Sequence, residues 1–130
     1  METDLRTALI EWLRADPALS ARVNTVEEEA PLRAAAPWLG IAASASTDWG
    51  TKDRCGREVR LALELHCRGD DPAACAEAVH AIEMRIEAMP PIQPGFAIAS
   101  CTFLRGRAER RPGNIRAVLI EYRFRLLSHP

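Results

Sequence analysis

An α+β fold is predicted by three features of the sequence. Apolar and polar residues alternate over Glu58–Cys67 and again over Ile115–Leu127, the period of half-buried strands. Two other stretches, at Asp4–Ala15 and after Asp71-Pro72, repeat apolar residues at helical spacing. The strands come in pairs joined by polar segments and not by crossover helices, so a mostly antiparallel four-stranded sheet is expected, with two main helices packed on one face. At 130 residues the chain has the size of a single domain, taken as 1–130.

The elements follow in order. Leu5, Ala8, Leu9, Trp12 and Leu13 form one stripe of a first helix, with Thr3 as its expected N-cap. Asp16-Pro17 starts a short second helix to about Arg22, with Pro at its first position. Asn24–Ala36 reads as connector. Trp38–Ser46 is small and apolar enough for a first strand, and the polar, glycine-containing Ser46–Gly56 reads as a long loop. In Glu58–Cys67, Val59, Leu61, Leu63, Leu65 and Cys67 share the core face. Asp70-Asp71-Pro72 opens a helix that carries Cys75, Val79, Ile82 and Ile86 inward and runs to about Ala88. Pro90, Pro91 and Pro94 end it. Phe96–Arg105 and Ile115–Leu127 are the last strands, separated by a charged hairpin loop, Gly106–Gly113. Val59, Leu61, Leu63, Leu65, Val79, Ile82, Ile120, Tyr122 and Phe124 are the expected core.

Charge is balanced overall, at −1, which argues against a polycation for nucleic acid. It is unevenly placed. Residues 1–100 hold 10 basic and 16 acidic side chains; residues 101–130 hold 7 arginines and 2 glutamates. Opposed poles suit head-to-tail association of like subunits. The other reading is an arginine-favouring codon bias, with the charges evenly spread after folding. The charge-free run Ala34–Thr47 spans 14 residues and contains Pro37 and Gly40, too short to cross a bilayer. The N-terminal METDLRTALIEW carries an acidic amphipathic pattern and not a signal peptide's, so a cytoplasmic origin is expected.

No catalytic, cofactor or metal site is predicted. Cys55, Cys67, Cys75 and Cys101 contain no C-x-x-C pair, and His66 and His80 complete no zinc-finger spacing. Buried reduced thiols are expected, with Cys55 exposed in its polar loop. Alternation sends His66 and Cys67 to opposite faces of their strand, which rules out a dyad. Gly50 and Gly56 do not fit a phosphate loop, because Arg-Glu and then a strand follow the second glycine. The wet strand face (Arg60, Glu64, His66, Glu121, Arg123, Arg125) is the single candidate lining for a ligand pocket. Arg105, Arg107, Arg110 and Arg111 in the hairpin loop could meet phosphates, or be solvated, or touch another protein. Trp49 stands in a loop of Ser, Thr, Asp, Gly, Lys and Arg, either as an interface anchor or folded back as a lid on the sheet edge.

The run Asp48-Trp49-Gly50-Thr51-Lys52-Asp53, followed by Gly56-Arg57-Glu58-Val59, resembles the signature of the phage tail-completion, or tail-terminator, family. The leading helix LRTALIEWLRADPAL, the strand VRLALELHC and the closing hairpin FAIASCTFLRGRAERRPGNIRAVLIEYRFRL are similar to that family's order of elements. The resemblance implies a structural virion protein. It would form a homo-hexameric ring at the head-proximal end of a long non-contractile tail, stop growth of the tail tube, and join it to the head–tail connector. DNA would pass through the ring without sequence-specific contact, and no membrane would be involved. Such proteins belong to phage or to gene transfer agent particles and assemble in the bacterial cytoplasm. The expected partner-facing residues are Asp48, Trp49, Thr51, Lys52, Asp53 and Arg57 in the loop, with Arg107, Arg110 and Arg111 in the basic hairpin. The competing reading is a small adaptor or ligand-binding α+β domain without catalysis.

Overall fold

The computed structural model describes residues 1–29 and 34–130. Three helices and six strands follow in the order α1 (Glu2–Arg14), α2 (Pro17–Ser20), β1 (Val26–Glu27), β2 (Trp38–Asp48), β3 (Gly56–Arg68), α3 (Pro72–Glu87), β4 (Ile92–Gln93), β5 (Phe96–Arg111) and β6 (Ile115–Leu127). All six strands form one sheet, ordered β1-β2-β3-β6-β5-β4.

The expected four-stranded antiparallel sheet is therefore wrong in detail. The sheet is six-stranded, mixed and curled into a half-barrel, and three helices accompany it. The additions are β1, parallel to β2 through Val26↔Leu39 and Glu27↔Gly40, and β4, antiparallel to β5 through Ile92↔Ala97 and Gln93↔Phe96. Two-residue strands contain too few positions to display a period, so only the folded chain reveals them. β1 lies inside the expected connector and is held by Asn24 N–H to Pro37 O at 2.8 Å and Leu39 N–H to Thr25 O at 3.0 Å.

Strand lengths were also underestimated. β2 runs on to Asp48 and β3 starts at Gly56, so the loop shrinks to 49–55. The expected charged loop is mostly strand, because β5 continues to Arg111 and only 112–114 turn. There Gly113 (φ 81°) and Asn114 (φ 57°) both adopt the left-handed conformation that Gly and Asn tolerate. Composition misled here, since the residues of GRAERR alternate as a strand while looking like a solvated loop.

The helices cover one face. Leu5, Leu9 and Leu13 of α1 and Cys75, Ala78, Ile82 and Ile86 of α3 bury against Val59, Leu61, Leu63 and Leu65 of β3 and Val118, Ile120, Tyr122, Phe124 and Leu126 of β6. Ala78 takes the place expected for Val79, which is half-buried at the margin of the core. Thr3 is not the cap of α1: the helix starts at Glu2, after Met1, and Thr3 Oγ1 accepts a bond from Arg6 Nη2 at 3.4 Å. The Asp16 and Asp71 side chains do cap α2 and α3, accepting from Ala18 N–H at 3.3 Å and Ala74 N–H at 3.1 Å.

One reciprocal contact joins the helix ends. Trp12 Nε1 donates to Arg85 O at 2.7 Å, and Arg85 Nε donates to Trp12 O at 2.8 Å. The Arg85 guanidinium also lies 3.3 Å above the Trp12 ring. Both carbonyls belong to the last turn of their helix, where the regular i+4 partners run out; Arg85 O also accepts from Ala88 N–H at 3.2 Å, and the two side chains bridge the helix ends.

Candidate functional site

The sequence-predicted partner residues fall into two groups at opposite ends of the sheet. Asp48 and Arg57 flank the 49–55 loop, at the level of Leu126 on β6 and Ile98 on β5. Arg107, Arg110 and Arg111 lie towards the β5–β6 turn, where Arg111 faces Ile115 and Ile115 faces Arg68. From Arg57 to Arg68 is eleven residues of β3, or roughly 36 Å at strand rise. The structure brings together the members of each group and keeps the groups apart.

The loop is built by its own short-range bonds. Trp49 N–H donates to Gly56 O at 3.1 Å and Thr51 N–H to Arg54 O at 2.8 Å. Thr51 Oγ1 accepts from the backbone N–H of Asp53 at 3.3 Å and of Arg54 at 3.1 Å. Asp48 Oδ1 accepts from Gly50 N–H at 3.4 Å and lies 3.7 Å from the Arg57 guanidinium. Gly56 is required for close approach: a Cβ there would stand 2.7 Å from Trp49 O and 2.9 Å from Leu126 O. The Arg54 guanidinium donates to Ser128 O, with its Nε at 2.9 Å, and Ser128 N–H donates to Cys55 O at 2.9 Å. The loop is thus strapped to the end of β6. Thr51, Lys52 and Asp53 point to solvent at its tip, whereas Trp49 is half-buried with the Arg125 guanidinium 5.5 Å from its ring centre.

The face of the sheet away from the helices carries a charged lattice that sequence reading saw only in part. Arg125 Nε and Arg123 Nε approach Glu58 Oε1 at 3.0 and 3.8 Å, and Arg105 Nε approaches Glu121 at 3.0 Å. Arg111 on β5 reaches across β6 to Glu64 on β3 at 2.6 Å and also meets Glu109 at 2.9 Å, beside Arg107 at 3.3 Å from the same glutamate. His66 Nε2 lies 2.5 Å from Glu64, and the His66 ring stacks on Trp38 at 4.1 Å. Glu109 and the extension of β5 beyond Arg105 were missed because the segment was read as loop. The signal was present in the alternation of Arg105, Arg107, Glu109 and Arg111 with Gly106, Ala108 and Arg110.

Burial raises the Glu64 carboxyl, but the hydrogen bonds from Arg111 and His66 outweigh it and hold the group below the usual carboxylate value. Hydrogen bonds to Glu109 and Glu64 raise Arg111 further still. Under the helices, burial and the neighbouring Cys75 push the Cys67 thiol up to about 12, and burial with nearby Glu87 pushes Cys101 up to about 11. Cys55 is exposed, Cys67 and Cys75 are buried and Cys101 is intermediate. His66 and Cys67 occupy opposite faces, as alternation requires.

What this arrangement offers is contact surface: a stiff, curled sheet with a strapped polar loop at one end and an arginine-rich turn at the other. That describes an assembly subunit. The sequence model of the Tail completion protein gp17 family matches residues 7–127, and the chain belongs to that family, a structural component of phage-type tails. In fold it is similar to a chain of the virion of a native gene transfer agent particle, with a TM-score of 0.81 and 21% identity over 98% of this chain and 97% of that one. It is also similar to the bacteriophage SPP1 gp17 protein, with a TM-score of 0.55 and 19% identity over 94% and 88% of the two chains. No curated protein matches it in sequence.

Proposed function

We propose that the chain, acting as one domain over 1–130, closes the head-proximal end of a phage-type tail as a ring of six copies. The ring would dock the tail tube on one axial side, bind the head–tail connector on the other, and catalyse no reaction. The observation that carries this reading is the separation of two chemically different partner groups by the length of a rigid sheet. Asp48, Trp49, Thr51, Lys52, Asp53 and Arg57 lie at one end of the sheet, and Arg107, Arg110 and Arg111 towards the other. A terminator must present unlike surfaces to unlike neighbours. The family assignment and the likeness to a gene transfer agent chain and to SPP1 gp17 support it.

Electron microscopy of particles built with Trp49→Ala, and of others with Arg107, Arg110 and Arg111 all changed to Glu, tests the assignment. Headless tails or tailless heads are expected in both, with the melting temperature of the Trp49→Ala chain nearly unchanged. Normal joining in both sets of particles, or a ring of another number of copies, contradicts it.

A further inference from the structure

The sheet has two open edges, and they match. β1 covers β2 at Leu39 and Gly40, and β4 covers β5 at Phe96 and Ala97, with Pro91 O just before β4 also accepting the Ile98 N–H at 2.7 Å. Among the described residues, no other strand pairs with the outer side of β2 from Ile41 to Asp48 or of β5 from Ala99 to Arg111. Following the pairing across β3 and β6 places Asp48 level with Ile98, Ala45 level with Thr102, and Ile41 level with Gly106. The two short strands thus block opposite ends of opposite edges and leave free windows at one height.

The chemistry of the windows is unusual for exposed edges. Sheet edges are ordinarily guarded by charge, proline or a covering element, since unpaired N–H and C=O groups recruit other strands. Ile41–Thr47 (IAASAST) and Ile98–Leu104 (IASCTFL) hold no charge and no proline. Ala42, Ala43, Ser44 and Ala45 are exposed, small enough for a second backbone to approach, and Phe103 is 44% exposed on the other window. Along the strands charge returns at Asp48 and at Arg105, which stands level with Ala43, and from α1 the Arg6 guanidinium donates to Ser44 Oγ at 3.1 Å.

We infer that the β5 window of one copy pairs with the β2 window of the next, so that the sheet continues from subunit to subunit and its curl closes the ring. This deepens the proposed function and rests on it. Rotation about a ring axis preserves each strand's direction along that axis. Within the chain β2 runs antiparallel to β5, through two intervening strands each antiparallel to its neighbours, so the joint is antiparallel as well. It joins two different surfaces, which makes a closed ring and not a two-fold dimer. The free-edge groups gain partners, and Phe103 gains cover.

The test uses particles assembled with Ala45→Cys combined in turn with Ser100→Cys, Thr102→Cys or Arg105→Cys, in a Cys55→Ser, Cys101→Ser background. All four test positions project from the bare face of the sheet. One of the three pairs is expected to give a ladder of disulfide-linked chains on a non-reducing gel, and Ala45→Cys alone none. In parallel, Ala45→Lys and Thr102→Lys should each cut the yield of joined particles about tenfold, and Ala45→Lys with Thr102→Glu should restore most of it, because opposite charges then face each other at every joint. A six-copy ring with no ladder from any pair overturns the edge pairing while leaving the ring standing, as does normal assembly of both lysine variants. Particles whose tails end without a ring overturn the proposed function and the joint with it.

Discussion

The two faces of the central strands are made of the same backbone and differ in almost everything else. On β3, Val59, Leu61, Leu63 and Leu65 are each 0% exposed beneath the helices. Their neighbours Glu58, Glu64 and His66 lie on the opposite face and are held by arginines and by one aromatic stack. The covered face draws its free energy from apolar area removed from water, which is non-directional and additive along the strand. The bare face draws little from each ion pair, because water screens it. What the bare face does provide is a definite arrangement of charge: Arg111 ties β5 to β3 across β6, and Arg125 ties the end of β6 to Glu58 while lying over Trp49. Stability and a fixed arrangement of surface charge are thereby assigned to opposite sides of one sheet.

Substitutions on the two faces should accordingly differ in size. The largest loss is expected at the centre of the covered face, where Leu63→Ala should cost about 2–5 kcal/mol in urea unfolding. A loss under about 1 kcal/mol would contradict its place in the core. Next comes the clamp between α1 and α3. Arg85→Ala removes a hydrogen bond to a helix-terminal carbonyl and a cation stacked on Trp12, and about 1–3 kcal/mol should be lost. Arg85→Lys, which keeps the charge without the planar fork, should recover only part of it.

On the bare face Glu64→Gln should cost at most about 1 kcal/mol at neutral pH. Its effect should be clearer against pH. A carboxyl held below its unfolded value adds stability above the ordinary carboxylate range and loses it as pH falls through the lowered value. The native chain should therefore weaken on acidification in that range, and the Gln variant should weaken less, as read from melting temperature against pH. An identical pH profile for the two would remove Glu64 from the charged lattice. The smallest expected effect on stability is at Cys55. A maleimide should modify this exposed thiol first without altering the melting temperature, while Cys67 stays unmodified until the chain unfolds.

Much of the fold was legible because long elements repeat their signal. From Val118 to Leu127 burial alternates along β6, and the strand runs from Ile115 to Leu127 as its pattern predicts. The 48–57 motif was visible too, since a tryptophan among Ser, Thr, Asp, Gly, Lys and Arg is conspicuous. Less legible was where Trp49 would point. Its half-buried position under Arg125 depends on β6 arriving beside the loop, a contact between residues 76 positions apart in the chain. The outer half of β5 was lost for a related reason. Charged alternation looks like solvent exposure until the partners Glu64 and Glu121, on two other strands, show what the arginines face.

By itself the sequence determined the chemistry of each position and every period long enough to count: the α1 and α3 stripes, the alternating strands, the Asp-Pro starts of α2 and α3, and the kinship announced by one loop. Only the tertiary structure decided that β1 and β4 exist, that β5 reaches Arg111, and that two uncharged edge windows stand at one height. Each of these is a pairing between segments distant in the chain. Local pattern specifies which face a residue prefers, and only the folded chain specifies which backbone lies beside it.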